Sequence, residues 1–396
     1  MFETEFLLLP LRVDKHNKGY VDFYYGPKKL RKIVDNEAIT SPNKLLGDCK
    51  ALQKDLLKQG YDKKRERYLE KILTAMRTSI ETLNGIEIPI KEQFLRLYDV
   101  ALQPVNESEL ENLKEDFSNA YTGSGSLKEY MAKLRVRRSI PEGKVFMLFE
   151  KALNITKKRT QEIFVDLLPK EEKIFLVKND NKNEIRWPCY EWYLGDFHSR
   201  IEVNPNYNMY WTVFLLFASH EGYCGHHTEF IVKEQRLYRE LSQFEHSILL
   251  MHSPKLILSE GIADLAVRLL FSYREEAEIG IQEFCPNPLK EDSLEVLIAQ
   301  NKVKGKVTLF WYNFAYHALI DEWSVEELIK YAKKFEIFKE ENIKNHLKVI
   351  SNPIYSMNAF SYNLGSKIIR NKYGECPSVE NFRNLLVNPI LPSDLA

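Results

Sequence analysis

His220 and Glu221 close an apolar run that starts at Trp211 and reads as a buried helix, and the next histidines, His226 and His227, follow six and seven residues later. An unbroken helix brings neither of them beside His220. Six residues on, side chains point about 240° apart; seven residues on, they share a face but stand about 10.5 Å apart along the axis. Two nitrogens bound to one zinc ion at about 2.1 Å each lie no more than about 4 Å from one another. If these imidazoles share a metal, the helix must break between them. Gly222 and Gly225 lie in that interval and are the residues best able to allow a break.

The chemistry of the segment favours such a site. Six of the nine histidines (His198, His220, His226, His227, His246 and His252) fall between positions 198 and 252, and buried imidazoles need polar partners. In an HExxH helix two histidines one turn apart bind zinc, and the Glu beside the first polarises a metal-activated water. Here an insertion in the turn would carry His226, or His227, to the place of the second histidine. The segment from Pro254 to Arg268 reads as a second amphipathic helix, with Glu260 as third ligand and Asp264, one turn on, orienting a histidine through its other ring nitrogen. The expected cofactor is one Zn2+ ion. His246 and His252 are expected to be structural.

Around this core, periodicity predicts a mainly α chain with one small β-sheet. Leucines at three- and four-residue steps mark helices from Pro42 to Asn84, and further helices are expected over 109–121, 126–136 and 142–168. Residues 1–30 read as a lead-in segment and turn. Strands are predicted at 173–177, 187–193 and 197–203, after which helix resumes. This divides the chain into a helical region, 1–170, and a metal-binding catalytic region, 171–396, packed as one continuous unit. The strand Ser199–Asn204, just before the metal helix, is a candidate edge for binding an extended peptide, with Ser199 and Asn204 facing substrate.

Lys+Arg and Asp+Glu both number 56, which argues against nucleic-acid binding through bulk positive charge. No stretch reaches 18 apolar residues, so no membrane span is expected. The five cysteines, Cys49, Cys189, Cys224, Cys285 and Cys376, form no CxxC and suggest reduced thiols in a cytoplasmic protein. No P-loop, dinucleotide fingerprint or GxSxG motif is present.

The stretch His220-Glu221-Gly222-Tyr223-Cys224-Gly225-His226-His227 resembles the His-Glu-x-x-Pro-Gly-His-His motif of the domain of unknown function 885 family, with Cys224 where that family carries proline. Ser259-Glu260-Gly261, Asp321–Glu327 and Ser361-Tyr362-Asn363-Leu364-Gly365 followed by Arg370 are similar to further blocks of that family. Gly19-Tyr20-Val21-Asp22 and Tyr25-Gly26-Pro27 are similar to a shorter branch of related sequences. The resemblance covers about residues 190–370. It implies a zincin-like, gluzincin-type metallopeptidase. Zinc on His220, His226 or His227, and Glu260 would activate water, Glu221 would be general base, and Tyr362 would polarise the oxyanion, with Arg370 or His317 as lesser candidates. Arg370 is also a candidate for substrate binding. The substrate expected is a peptide or small amide. The competing readings are a metal-dependent amide or ester hydrolase of a small metabolite, and a non-catalytic helical binding protein stabilised by its metal.

Overall fold

The computed structural model describes residues 2–123, 125–179, 187–352 and 356–395. In chain order the elements are α1 (Phe2–Asp14), β1 (Val21–Tyr24), α2 (Lys28–Asn36), α3 (Pro42–Leu56), α4 (Lys63–Leu83), α5 (Ile90–Tyr98), α6 (Glu107–Ala120), α7 (Leu127–Arg138) and α8 (Glu142–Ile163). There follow β2 (Lys173–Lys178), β3 (Cys189–Gly195), β4 (His198–Val203), α9 (Phe214–Glu221), α10 (His226–Lys233), β5 (Ile248–Leu250) and α11 (Pro254–Leu270). The C-terminal helices are α12 (Tyr273–Glu283), α13 (Leu294–Lys304), α14 (Val307–Leu319), α15 (Val325–Lys333), α16 (Glu340–Ile350), α17 (Ser361–Tyr373), α18 (Val379–Val387) and α19 (Pro392–Leu395). The expectation of a mainly helical chain with a small sheet holds. Among the described residues, no helix is long and apolar enough to cross a membrane.

Local chemistry explains most helix boundaries. Asp62 caps α4 by accepting from the amides of Lys64 and Arg65, and Ser126 with Glu129, Ser272 with Glu275, and Ser324 with Glu327 form capping boxes for α7, α12 and α15. The lead-in expected over residues 1–30 is instead α1, β1 and the start of α2. Phe6, Leu7, Leu8, Leu9 and Leu11 are buried all round α1, so an amphipathic period is absent there and a short apolar helix passes for an irregular segment.

The three predicted strands form one sheet in the order β2-β4-β3, parallel between β2 and β4 and antiparallel between β4 and β3. A second, two-stranded sheet pairs β1 with β5 across more than 220 residues of sequence; strands so short and so far apart carry no periodic signal. The larger hydrophobic core draws on residues from Phe23 to Leu395, on both sides of position 170. A smaller one joins α1, α3 and α4 to Phe244, Ile248 and Leu250. The segment from His220 to Asp264 therefore rests on both ends of the chain.

The blocks around Gly261 and Gly365 meet in space. A Cβ at Gly261 would lie 2.4 Å from the carbonyl carbon of Gly365, and one at Gly365 would lie 2.0 Å from the Ile257 oxygen. Only glycine at both positions lets the backbones of α11 and α17 cross this closely. The crossing sets the height of Glu260, one residue before Gly261.

Candidate metal centre

The helix breaks where the spacing required it. α9 ends at Glu221, and the Gly222 amide still donates to Ala218 at 3.1 Å. The chain then reverses through Tyr223 and Cys224 and starts α10 at His226. Gly225 is the tightest point of the turn: a Cβ there would lie 2.0 Å from the His220 oxygen and 2.3 Å from the Ser219 oxygen. Gly222 is similarly walled in by the Ala218 oxygen and Leu153, each at 2.6 Å. Cys224 has φ +83°, a conformation closed to proline, whose ring holds φ near about −65°. The departure from the resembling motif at this position thus goes with a backbone that proline could not adopt. The Thr228 hydroxyl accepts from the Cys224 amide at 2.6 Å and holds the turn. We expect Gly225→Ala to destabilise the fold by about 3 kcal/mol or more, because the clash is with backbone that no rotamer change can relieve; urea unfolding measures it, and a loss below about 1 kcal/mol would contradict this packing.

The break carries His226 back to His220, with ring centroids 4.8 Å apart. Nitrogen or oxygen donors of His220, His226 and Glu260 lie within 4.8 Å of one another. Glu260 Oε2 stands 3.6 Å from His220 Nε2 and 3.8 Å from His226 Nε2, inside the separation of about 4 Å that a shared ion permits. This oxygen is buried and makes no hydrogen bond. An acceptor left in that state normally has a partner, and a cation between it and the two imidazoles would be one.

Hydrogen bonds on the far side of each ring prepare the donors. His220 Nδ1 faces Asp264 Oδ1 at 3.3 Å, which turns Nε2 inward toward Glu260; an ion there would take the place of the Nε2 proton. Asp264 thus takes the orienting position expected of it. For His226 the partner is Ser259, 3.1 Å from Nδ1. The Ser259 hydroxyl donates to Glu229 Oε2 at 2.6 Å, and Glu229 is paired with Lys233 at 2.5 Å inside the protein. With its only hydrogen directed at Glu229, Ser259 can only accept from His226 Nδ1, which leaves the Nε2 lone pair free. Sequence reasoning missed Ser259, Glu229 and Lys233. The i,i+4 spacing of Glu229 and Lys233 was visible, but nothing in it tied the pair to Ser259, 33 residues beyond His226.

Charge follows from burial. Burial pushes the His226 imidazole well down, and His220 adds to this, so His226 is neutral. Burial also acts against a charged His220, but the facing carboxylates of Asp264 and Glu260 outweigh it and hold its pKa well above the usual value. Burial raises the Glu221 carboxyl to about 7, with His220 opposing and Glu260 assisting. Glu221 is held by the Glu191 amide at 3.1 Å and by the Cys189 thiol, 3.7 Å from Oε1. Both donors belong to β3.

Several sequence expectations need correction. His227 is not part of the cluster. Its Nε2 meets Glu172 Oε2 at 3.0 Å and its Nδ1 meets the Ser199 hydroxyl at 2.7 Å, so both nitrogens are engaged in a fully buried tie that also includes Tyr223 and Lys157 on Glu172. Being next in sequence to His226, His227 points some 100° round α10 and into the core. Ser199 faces that interior tie rather than substrate. Asn204 accepts from the Asn206 amide at 3.0 Å and shapes the turn after β4. β4 is the central strand of its sheet; the end strand beside Glu221 is β3. Arg370 lies at the last turn of α17, where its Nε stands 3.5 Å from Glu375 Oε2, and it makes no contact with His220, His226 or Glu260. His317 sits between Asp321 at 2.7 Å and Glu107 at 3.2 Å, stacked on Trp323. Tyr362 falls on α17, but its side chain lies outside the described residues. His246 is buried against Tyr68, and His252 packs against Tyr20 and Tyr98, as expected of structural histidines.

No family model and no curated protein matches the chain. Among solved structures, it is similar to a lipoprotein candidate from Colwellia psychrerythraea, with a TM-score of 0.54 and 11% identity over 93% of this chain and 68% of that one. It is also similar to a lipoprotein candidate of unknown function from Shewanella oneidensis, with a TM-score of 0.51 and 11% identity over 91% of this chain and 76% of that one. At such identity the likeness is one of fold alone: the helical architecture with its small sheets is shared by proteins from these two organisms.

Proposed function

We propose that this chain is a zinc-dependent hydrolase that cleaves peptide bonds, with His220, His226 and Glu260 as ligands and Glu221 as general base. The observation that carries the reading is the inward-facing donor set: two imidazoles oriented by Asp264 and Ser259, and a buried Glu260 oxygen lacking any hydrogen bond. This is the two-histidine, one-carboxylate set of catalytic zinc sites, which leave a fourth position for water or substrate.

A bound zinc ion supplies Lewis acidity, lowering the pKa of water and polarising a carbonyl. The protein's own groups do the rest. Glu221, raised to about 7 by burial, can take up a proton and release it again near neutral pH, the property a general base needs when it later delivers that proton to the leaving amine. Cys189 and the Glu191 amide keep its carboxylate at the edge of β3. β3 ends its sheet, and extended chains can bind by adding to such an end strand, which favours a peptide over a small ester as substrate.

Metal analysis of purified protein, followed by a peptide panel with and without a chelator, tests the proposal. We expect one zinc per chain and cleavage that the chelator abolishes and added zinc restores. Hydrolysis of ester or amide metabolites with no peptide cleaved would move the substrate class. Absence of bound zinc would overturn the reading.

A further inference from the structure

His246 packs on Tyr68 as a structural residue, but its ring lacks the polar partners such a residue normally has. The residue is 1% exposed, and neither ring nitrogen makes a hydrogen bond. A neutral imidazole carries one N–H donor and one acceptor, and a buried donor left unmatched is costly. The groups that face the ring identify what would match it. They are Lys255, Lys233 and Arg65, all cations; burial first, and then these charges, push the His246 imidazole well down, so the ring is neutral.

The cations are unequally matched. Lys233 pairs with Glu229 at 2.5 Å, and Arg65 reaches both oxygens of Glu245, at 2.7 and 2.8 Å. Lys255 is also buried, yet it makes no ion pair among the described residues. Its ammonium stands 3.5 Å from the Ile248 oxygen, 5.0 Å from the Phe23 ring and 6.0 Å from the Phe230 ring. Asp22, the remaining acid nearby, accepts from the Tyr190 hydroxyl at 2.6 Å, and burial raises its carboxyl. Burial, with Lys233 adding to it, lowers the Lys255 ammonium to about 7. A buried charge in this setting is stabilised by a counter-ion. With one imidazole N–H and one ammonium as donors, a singly charged, monatomic anion fits. Phosphate or sulfate would bring more charge and more oxygens than these donors can satisfy.

We propose that His246 and Lys255 form a buried binding site for a halide ion of the chloride type, with the His246 N–H and the Lys255 ammonium as its donors and Lys233 and Arg65 around it. The site does not depend on the hydrolase reading. It meets the metal centre only through Lys233, whose partner Glu229 accepts from Ser259 beside His226.

Two measurements on the full chain test it. In crystals soaked in sodium bromide, whose anion scatters anomalously, we expect a peak within hydrogen-bond distance of His246 and Lys255. In solution, replacing isethionate by chloride at constant ionic strength should raise the thermal midpoint saturably, by about 2 °C. Lys255→Met keeps the length of the side chain, and His246→Phe keeps a ring against Tyr68; each should abolish the chloride response. Lys63→Met, at an exposed lysine at the start of α4, should retain it. Equal midpoints in chloride and isethionate, an undiminished response in Lys255→Met, or no bromide at His246 would each overturn the proposal. If neither variant folds, the bromide map decides alone.

Discussion

Glu221→Gln is expected to lower peptide hydrolysis by roughly 10²–10⁴-fold, the range for loss of a positioned general base, while zinc remains at one per chain. The substitution keeps size and shape, so the Glu191 amide retains an oxygen to bond at residue 221. What changes is the ability to hold a proton. The carboxyl sits deep beside His220 and Glu260, and burial raises it to about 7; an amide in its place cannot accept the proton from water or return it to the leaving amine. Steady-state kinetics with a cleaved peptide, paired with metal analysis of the same preparation, separate the two effects. A variant that keeps both zinc and full activity would remove Glu221 from the chemistry. A variant that loses zinc would show that Glu221 helps to hold the ion.

The adjacent histidines should behave in opposite ways. His226→Ala removes one of three donors, and we expect zinc affinity to fall by about a thousandfold or more, with modest loss of stability in metal-free protein. His227→Ala should leave zinc affinity within about tenfold of wild type but destabilise the metal-free fold by about 2–4 kcal/mol. It empties a fully buried position and strips a partner from both Glu172 and Ser199. Zinc competition against a chelating dye and urea unfolding without metal give the two readouts. If His227→Ala abolishes zinc binding and His226→Ala does not, the assignment of the second ligand is reversed.

The contrast between these neighbours shows where sequence reading reached its limit. Helix geometry excluded both histidines as partners of His220 in a regular helix, and the glycines located the break. Which imidazole the broken chain would deliver depended on the direction of α10 after the turn. That direction is set by Thr228 on the Cys224 amide and by the Glu172 tie that draws His227 into the core. Glu172 lies in a turn 55 residues earlier, and nothing in its surroundings marks it. Ser199 misled for a related reason. Its strand was expected to offer an edge to substrate, but β4 lies between β2 and β3, and the His227 ring that Ser199 meets comes from α10, 28 residues on. Ser259 and Glu229 went unnoticed because each is ordinary in its own helix and acquires meaning only where α10 and α11 touch.

Local chemistry in the sequence by itself determined the helix boundaries, the three-stranded sheet, the break at Gly222–Gly225, and the candidacy of His220, Glu221, Glu260 and Asp264. These depend on spacing, capping residues and glycine, all of which act within a few residues. Only the tertiary structure decided that His226 rather than His227 faces Glu260, that β3 rather than β4 is the end strand beside Glu221, and that β1 pairs with β5. Each of those outcomes is a contact between segments far apart in the chain, fixed by packing around shared cores, and no local pattern encodes which distant surface a side chain will meet.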